Sequence, residues 1–305
     1  MRGNARGHGV RGSNGWLQVY SVYFVYILIL GLSASLATAE TPSRLSRPEL
    51  PLATARATYG YDLIAYIRLN SVQGPLEDTD PSIPKYNRRE HFGGWRIHRP
   101  REKCSRTREV VLFRQADPNV PVRTNENCRV TSGLWLDPYS GKFISNPLEI
   151  HIDHVVPLRH AYYAGAYAWR PALRCHYSNY IYNSYHLVAV SGRENMSKGD
   201  KTPEHYLPPN KHFHCEYLSG WMKIKIIWHL WSTVDEVQAI ENQFAAANCP
   251  TWMRFISFEE YETQRDMASR PIPSCLRFEA RLEAESSDDD DRATRSALPP
   301  ASEAN

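Results

Sequence analysis

The segment Ile150-His-Ile-Asp-His154-Val-Val-Pro157 is answered downstream by His186-Leu-Val-Ala-Val-Ser191-Gly-Arg-Glu-Asn195-Met-Ser-Lys198-Gly-Asp200-Lys201. Across Glu149 to Val156, Ile150, Ile152 and Val155 alternate with polar residues, the period of a half-buried strand. On such a strand Asp153 and His154 point to opposite faces, so both serve one site only if the strand ends or kinks there. Pro157 fits such an ending. His186 to Val190 forms a second apolar strand, and after Ser191-Gly192 a short polar helix is predicted through Lys198. Strand, insertion, strand, short helix is the order that decides the fold, and the class is α+β.

Further elements extend from this centre. Glu109-Val-Val-Leu-Phe113 packs into the core as a short strand or helix. Arg129 to Trp135 has strand character, and Asp137-Pro-Tyr-Ser-Gly141 has turn composition. Leu158 to Leu173 is predicted helical and aromatic-rich. Cys215 to Trp231 and Val234 to Asn248 are expected to be two helices, the second opened by the capping box Thr233-x-x-Glu236. Upstream, Tyr59 to Leu69 suits a short helix with Leu63, Ile64 and Ile67 on one side. Pro75 to Pro84 has the composition of a linker, and residues 40 to about 57 that of an irregular lead-in.

The two ends differ from this middle. Arg2, Arg6 and Arg11 precede an apolar run from Trp16 to about Leu36, which closes on Ala37-Thr38-Ala39. That is the pattern of a cleaved signal peptide over residues 1–39, with an uncleaved anchor as the alternative. Secretion without a remaining membrane segment is the expectation. All six cysteines (Cys104, Cys128, Cys175, Cys215, Cys249 and Cys275) lie beyond the cut. In an oxidising compartment they suggest three disulfides. Cys104–Cys128 and Cys215–Cys249 are expected because each pair brackets one structural unit. No C-x-x-C pair occurs, which argues against a zinc site built from thiolates. From Glu40 to Phe278 the chain carries 30 Lys/Arg against 25 Asp/Glu. This mildly basic body suits a polyanion without requiring one. The serine–aspartate run Ser286–Asp291 begins a tail with disordered composition.

Hydrolysis of a phosphodiester needs an activated water and positive charge on the phosphate and leaving oxygen. A neutral imidazole supplies the first and a divalent cation the second. The two quoted segments hold candidates for both, and their motifs resemble the HNH (ββα-metal, or His-Me finger) endonucleases. The closest resemblance is to the secreted bacterial and fungal branch related to the C-terminal nuclease domain of the GmrSD restriction enzymes. It covers about Tyr86 to Cys249. Its marks are Tyr86-Asn-Arg88 with Phe92-Gly93 and Trp95; Cys104 with Thr107-Arg108-Glu109 and Val111-Leu112; and Cys128-Arg-Val-Thr-Ser-Gly-Leu-Trp135 with Asp137-Pro-Tyr139 and Gly141. They continue through Ile152-Asp-His-Val-Val-Pro-Leu158, Trp169, Leu187-Val-Ala-Val-Ser191, and Asn195 with Ser197-Lys-Gly-Asp-Lys201.

The resemblance implies a disulfide-stapled ββα-metal core with added helices. The implied domains are a nuclease domain over 86–256, after a lead-in and linker over 40–85, and a C-terminal extension over 257–305. His154 is implied as general base, Asp153 and Asn195 as ligands of Mg²⁺ (or Mn²⁺ or Zn²⁺), Lys198 and Lys201 as phosphate-binding residues, and Arg108 as a further phosphate clamp. The implied substrate is DNA or RNA, cut with little sequence preference; no stable protein partner is expected. Two positions depart from the pattern. His186 stands where relatives carry an asparagine that fixes the base, so it orients His154, joins the metal, or marks lost activity. His151 stands where relatives often have an acid. A secreted, catalytically inactive nucleic-acid-binding protein that kept the fold is therefore the second reading.

Other conspicuous residues take plainer readings. His160, His176, His205, His212 and His214 are expected as ordinary surface or interface histidines. Tyr162, Tyr163, Tyr167 and Trp169 are expected in the core rather than stacked on bases. Trp221, Ile224, Trp228 and Trp231 mark the buried side of a helix, with Lys223 and Lys225 as solvated charges. Asn195-Met-Ser197 is also a glycosylation sequon, expected to be unmodified because a sugar would block the metal site.

Overall fold

The computed structural model describes residues 50–76, 81–99 and 104–297. The expected signal peptide, the start of the lead-in and part of the linker lie outside these residues. The quoted segments form an antiparallel pair, β1 (Ile150–His154) and β2 (Leu187–Ser191), with Ile150 opposite Ser191 and His154 opposite Leu187. β2 runs directly into α1 (Gly192–Lys198), whose first turn is capped where Ser191 Oγ accepts the Glu194 amide. Gly199, at φ +56°, ends the helix in a conformation that side chains rarely adopt. Strand, strand and short helix thus follow in the expected order.

Both faces of the strand pair are covered, because side chains alternate across it. Ile150, Ile152, Leu187 and Ala189 pack on Val111, Leu112 and Trp135. Val188 and Val190 join the larger core, which continues into α2 (His214–Trp228) and α3 (Val234–Ala246). α1 crosses the pair and contacts both strands.

Several local expectations change for identifiable reasons. The 109–113 stretch, expected as strand or helix, is the helix of the two, Thr107–Gln115, because its buried positions Val111 and Leu112 extend a helical stripe with Thr107. Arg129–Trp135 is not one strand but two, Val130–Ser132 and Trp135–Asp137, with Gly133 between them. A Cβ on Gly133 would lie 2.4 Å from the Trp135 ring, so only glycine lets the indole fold back there. The turn at Asp137–Gly141 forms as expected: the Asp137 carboxylate accepts the Tyr139 amide and the Ser140 hydroxyl. The helical stretch predicted over 158–173 breaks into Leu158–Tyr163, a short 3₁₀ turn and Pro171–Ser178. Gly165 at φ +122° makes the break, and Pro171 restarts the helix at a first-turn position it suits. Upstream, Gly60–Asp62 pairs with Phe255–Ser257 before the helix Leu63–Leu69 begins at its Asp62 cap.

Cys104–Cys128 and Cys215–Cys249 are bonded as expected, and Cys175–Cys275 ties the Pro171–Ser178 helix to the C-terminal helix Pro273–Ala297. That last helix carries its backbone through Ser286–Asp291, where composition alone predicted an irregular tail. Among the described residues, no helix is long and apolar enough to cross a membrane.

Candidate active site

β1 and α1 meet as a two-rung ladder. Residues two apart on a strand share a face, and residues three apart on a helix share a face, so His151 and Asp153 can meet Asn195 and Lys198 rung by rung. On the outer rung Asn195 Nδ2 lies 3.2 Å from His151 Nδ1. On the inner rung the Lys198 ammonium donates to both Asp153 carboxylate oxygens, at 3.0 and 2.9 Å. Its third proton goes to the His154 carbonyl, at 2.9 Å. The Tyr139 hydroxyl donates to Asp153 Oδ2 at 2.6 Å. Lys198 is fully buried and Asp153 only 5% exposed. Burial raises the Asp153 carboxyl above its ordinary value, outweighing the nearby ammonium, and burial likewise lowers Lys198.

His154 faces the other way. Strand pairing stays regular through His154↔Leu187, with no kink to bring its ring beside the Asp153 carboxylate. Its Nε2 lies 2.9 Å from the Ser178 carbonyl. A carbonyl only accepts, so Nε2 carries the proton and Nδ1 keeps the lone pair in the neutral ring. Nδ1 of His98, His176 and His186 is buried without a partner; that of His154 is not in this state. Trp95 stacks on the imidazole, rings 5.5 Å apart and 7° from parallel. Burial holds His154 well below its ordinary pKa, and the Arg88 guanidinium adds to the effect. The ring is therefore neutral at pH 7, oriented from behind and flanked by a cation.

His186 does not touch His154 by hydrogen bond. Its Nε2 lies 2.8 Å from the Tyr177 carbonyl, its ring sits 6.4 Å from that of His154, and burial pushes it down to about 3. Arg108 spends its guanidinium on the Ile150 and Pro147 carbonyls, bracing the entry to β1. Lys201 is exposed, with Nζ donating to the Ser197 carbonyl at the end of α1. Of the residues expected at the site, then, Asp153 and Lys198 meet directly, Asn195 sits one rung away, and His154 occupies the opposite face. Lys198 is engaged by the protein and not open to a phosphate.

As placed, these groups do not fit a divalent ion. Both oxygens of Asp153 accept from Lys198, and Asn195 turns to His151. Among the described residues, no three His, Cys, Asp or Glu side chains gather into a metal site. Four residues at this centre had no role assigned from the sequence: Tyr139, Ser178, Trp95 and Arg88. Tyr139, Trp95 and Arg88 lie within motifs that carry the family resemblance, and that was their only signal. Ser178 acts through its backbone carbonyl, which leaves no trace in residue type.

Residues 113–242 match the family described as GmrSD restriction endonucleases, C-terminal domain, the family that the motifs resemble. The matched span holds β1, β2, α1 and α2. A protein of Arthroderma benhamiae (strain ATCC MYA-4681 / CBS 112371), described as an uncharacterized secreted protein, is 37% identical over 134 residues. The alignment covers 44% of this chain and 64% of that protein. The chain thus spans less than two thirds of the length of the curated relative it matches. No solved structure matches the chain.

Proposed function

We propose that the protein is a secreted nuclease that hydrolyses phosphodiester bonds of DNA or RNA, with His154 as its general base. One observation carries this reading: a neutral imidazole, fixed through Nε2 on the Ser178 carbonyl and stacked on Trp95, keeps the Nδ1 lone pair free. A general base needs that state at neutral pH. In the reaction Nδ1 takes a proton from water as the water oxygen bonds to phosphorus. The bond from phosphorus to the 3′ oxygen breaks, the oxygen leaves with the bonding pair and takes a proton from solvent, and a 5′-phosphate and a 3′-hydroxyl result. Arg88, whose charge acts on His154, and Lys201 beyond the end of α1 are exposed and are the side chains that would meet the phosphates. Three disulfides and the secreted relative support an extracellular location.

The test is nicking of supercoiled plasmid, and cleavage of RNA, by the disulfide-intact protein with Mg²⁺, Mn²⁺ or Zn²⁺ and with EDTA. His154→Ala should lower the rate by about 10²–10⁴-fold, the usual weight of a general base, without changing the melting temperature by more than a few degrees. Undiminished cutting by that variant would remove His154 from the role. The division of Asp153 and Asn195 between separate partners favours a second reading, the inactive binding protein. A gel shift with nucleic acid and no cleavage under any of these conditions would select it.

A further inference from the structure

The inner rung has the donor set of a cation site. Asp153 Oδ1, Asp153 Oδ2 and the His154 carbonyl oxygen converge on one point, each 2.9–3.0 Å from it, and that point is the Lys198 nitrogen. Carboxylate and backbone carbonyl oxygens are the kind of ligand that a hard divalent ion takes. The protein has placed its own ammonium there instead. The ammonium is neither solvated nor shared: its three protons meet these three acceptors, and nothing of the side chain reaches solvent.

We infer that Lys198 is a built-in competitor for a divalent cation: while its ammonium holds Asp153 and the His154 carbonyl, the residues present do not fit a metal ion. Two positive charges do not share three oxygens, since at such separations in a buried setting they repel strongly. Lys198 is the last residue of α1, and Gly199 follows it in the left-handed region, so the side chain is anchored at a helix end rather than mid-helix.

The experiment therefore measures Mn²⁺ binding without nucleic acid. Calorimetric titration of the full, disulfide-intact chain is compared with Lys198→Met, Asp153→Asn, and the two combined. Ions held elsewhere are common to all four proteins and subtract out. Lys198→Met should bind one additional Mn²⁺ at least tenfold more tightly than the native chain, and the double variant should lose that gain. Native affinity equal to or tighter than that of Lys198→Met overturns the inference, as does a gain that survives Asp153→Asn. Because Lys198→Met leaves a buried carboxylate unpaired, melting is measured alongside, with Lys198→Gln as a milder variant. Mn²⁺ should raise the melting temperature of Lys198→Met and Lys198→Gln well above any rise in the double variant. An equal rise in all of them counts against the competition. Failure of this test leaves the His154 experiment untouched, and an inactive enzyme leaves this one readable.

Discussion

Among the described residues two lysine–carboxylate pairs are buried, and they are built differently. Glu236 and Lys225, between α2 and α3, are both fully enclosed. Glu236 accepts from the Trp221 indole at 2.6 Å and from Lys225 at 2.9 Å; Lys225 also reaches His160 Nε2 at 2.7 Å and the Trp231 carbonyl at 2.6 Å. Burial pushes Glu236 up, but Lys225 and His160 outweigh it and hold the carboxyl down to about 2. Asp153 has Lys198, one tyrosine hydroxyl and the His154 backbone amide, and there burial wins. The same ion pair is thus over-provided in the helical core and under-provided on the strand beside the candidate base. A pair whose partners exceed its desolvation cost holds structure; a pair that falls short is the one that can be exchanged.

Breaking the well-provided pair should have the largest effect on stability. Lys225→Met leaves Glu236 as a buried, uncompensated charge, and should cost about 3–5 kcal/mol in urea unfolding. A loss below about 1 kcal/mol would show that the network contributes little. Next comes acid. Glu236 is depressed from 4.5 to about 2, so its contribution is present above pH 4.5 and is lost as pH falls toward 2. The size is on the order of 3 kcal/mol. Glu236→Gln should remove that part of the acid limb from a stability–pH curve, and an unchanged limb would contradict the depressed value. Asp153 has the opposite sign: its carboxyl is raised, so its contribution favours the fold at low pH and is lost as pH rises through its folded value.

The contrast between these pairs was invisible in the sequence, whereas the frame around them was legible. Alternation over Ile150–Val155, the apolar run at Leu187–Val190 and the glycine at 199 specify strand, strand and helix with local signals alone. The Thr233 cap is equally local: its hydroxyl accepts the Glu236 amide. Its reciprocal half fails, because the Glu236 carboxylate is drawn to Lys225 and Trp221. Lys225 was expected in solvent and His160 and His176 at the surface, yet all three are buried. Helical spacing places Lys225 beside Ile224 and Trp228, and no local rule says that an acid from the next helix will receive its ammonium. The setting of Lys198 was hidden for the same reason. The motif gives its position, but only the crossing of α1 over β1 decides that its charge faces inward.

The sharpest division between the pairs comes from removing both charges of each at once. For Asp153→Asn with Lys198→Met, two desolvation costs disappear together with one attraction, the Tyr139 hydroxyl keeps an amide oxygen to donate to, and only the His154 carbonyl loses a donor. Carbonyls tolerate that loss better than amide groups do. Unfolding free energy should therefore stay within about 1 kcal/mol of the native value or rise above it. Glu236→Gln with Lys225→Met is no such exchange: His160 Nε2 and the Trp231 carbonyl both lose the ammonium that satisfied them. That double variant should lose more than about 2 kcal/mol, since each stranded buried group costs about 1–3 kcal/mol. Equal losses in the two double variants would mean that the extra partners around Glu236 carry no energy. The case for Lys198 as the exchangeable cation would then rest on its three oxygens alone.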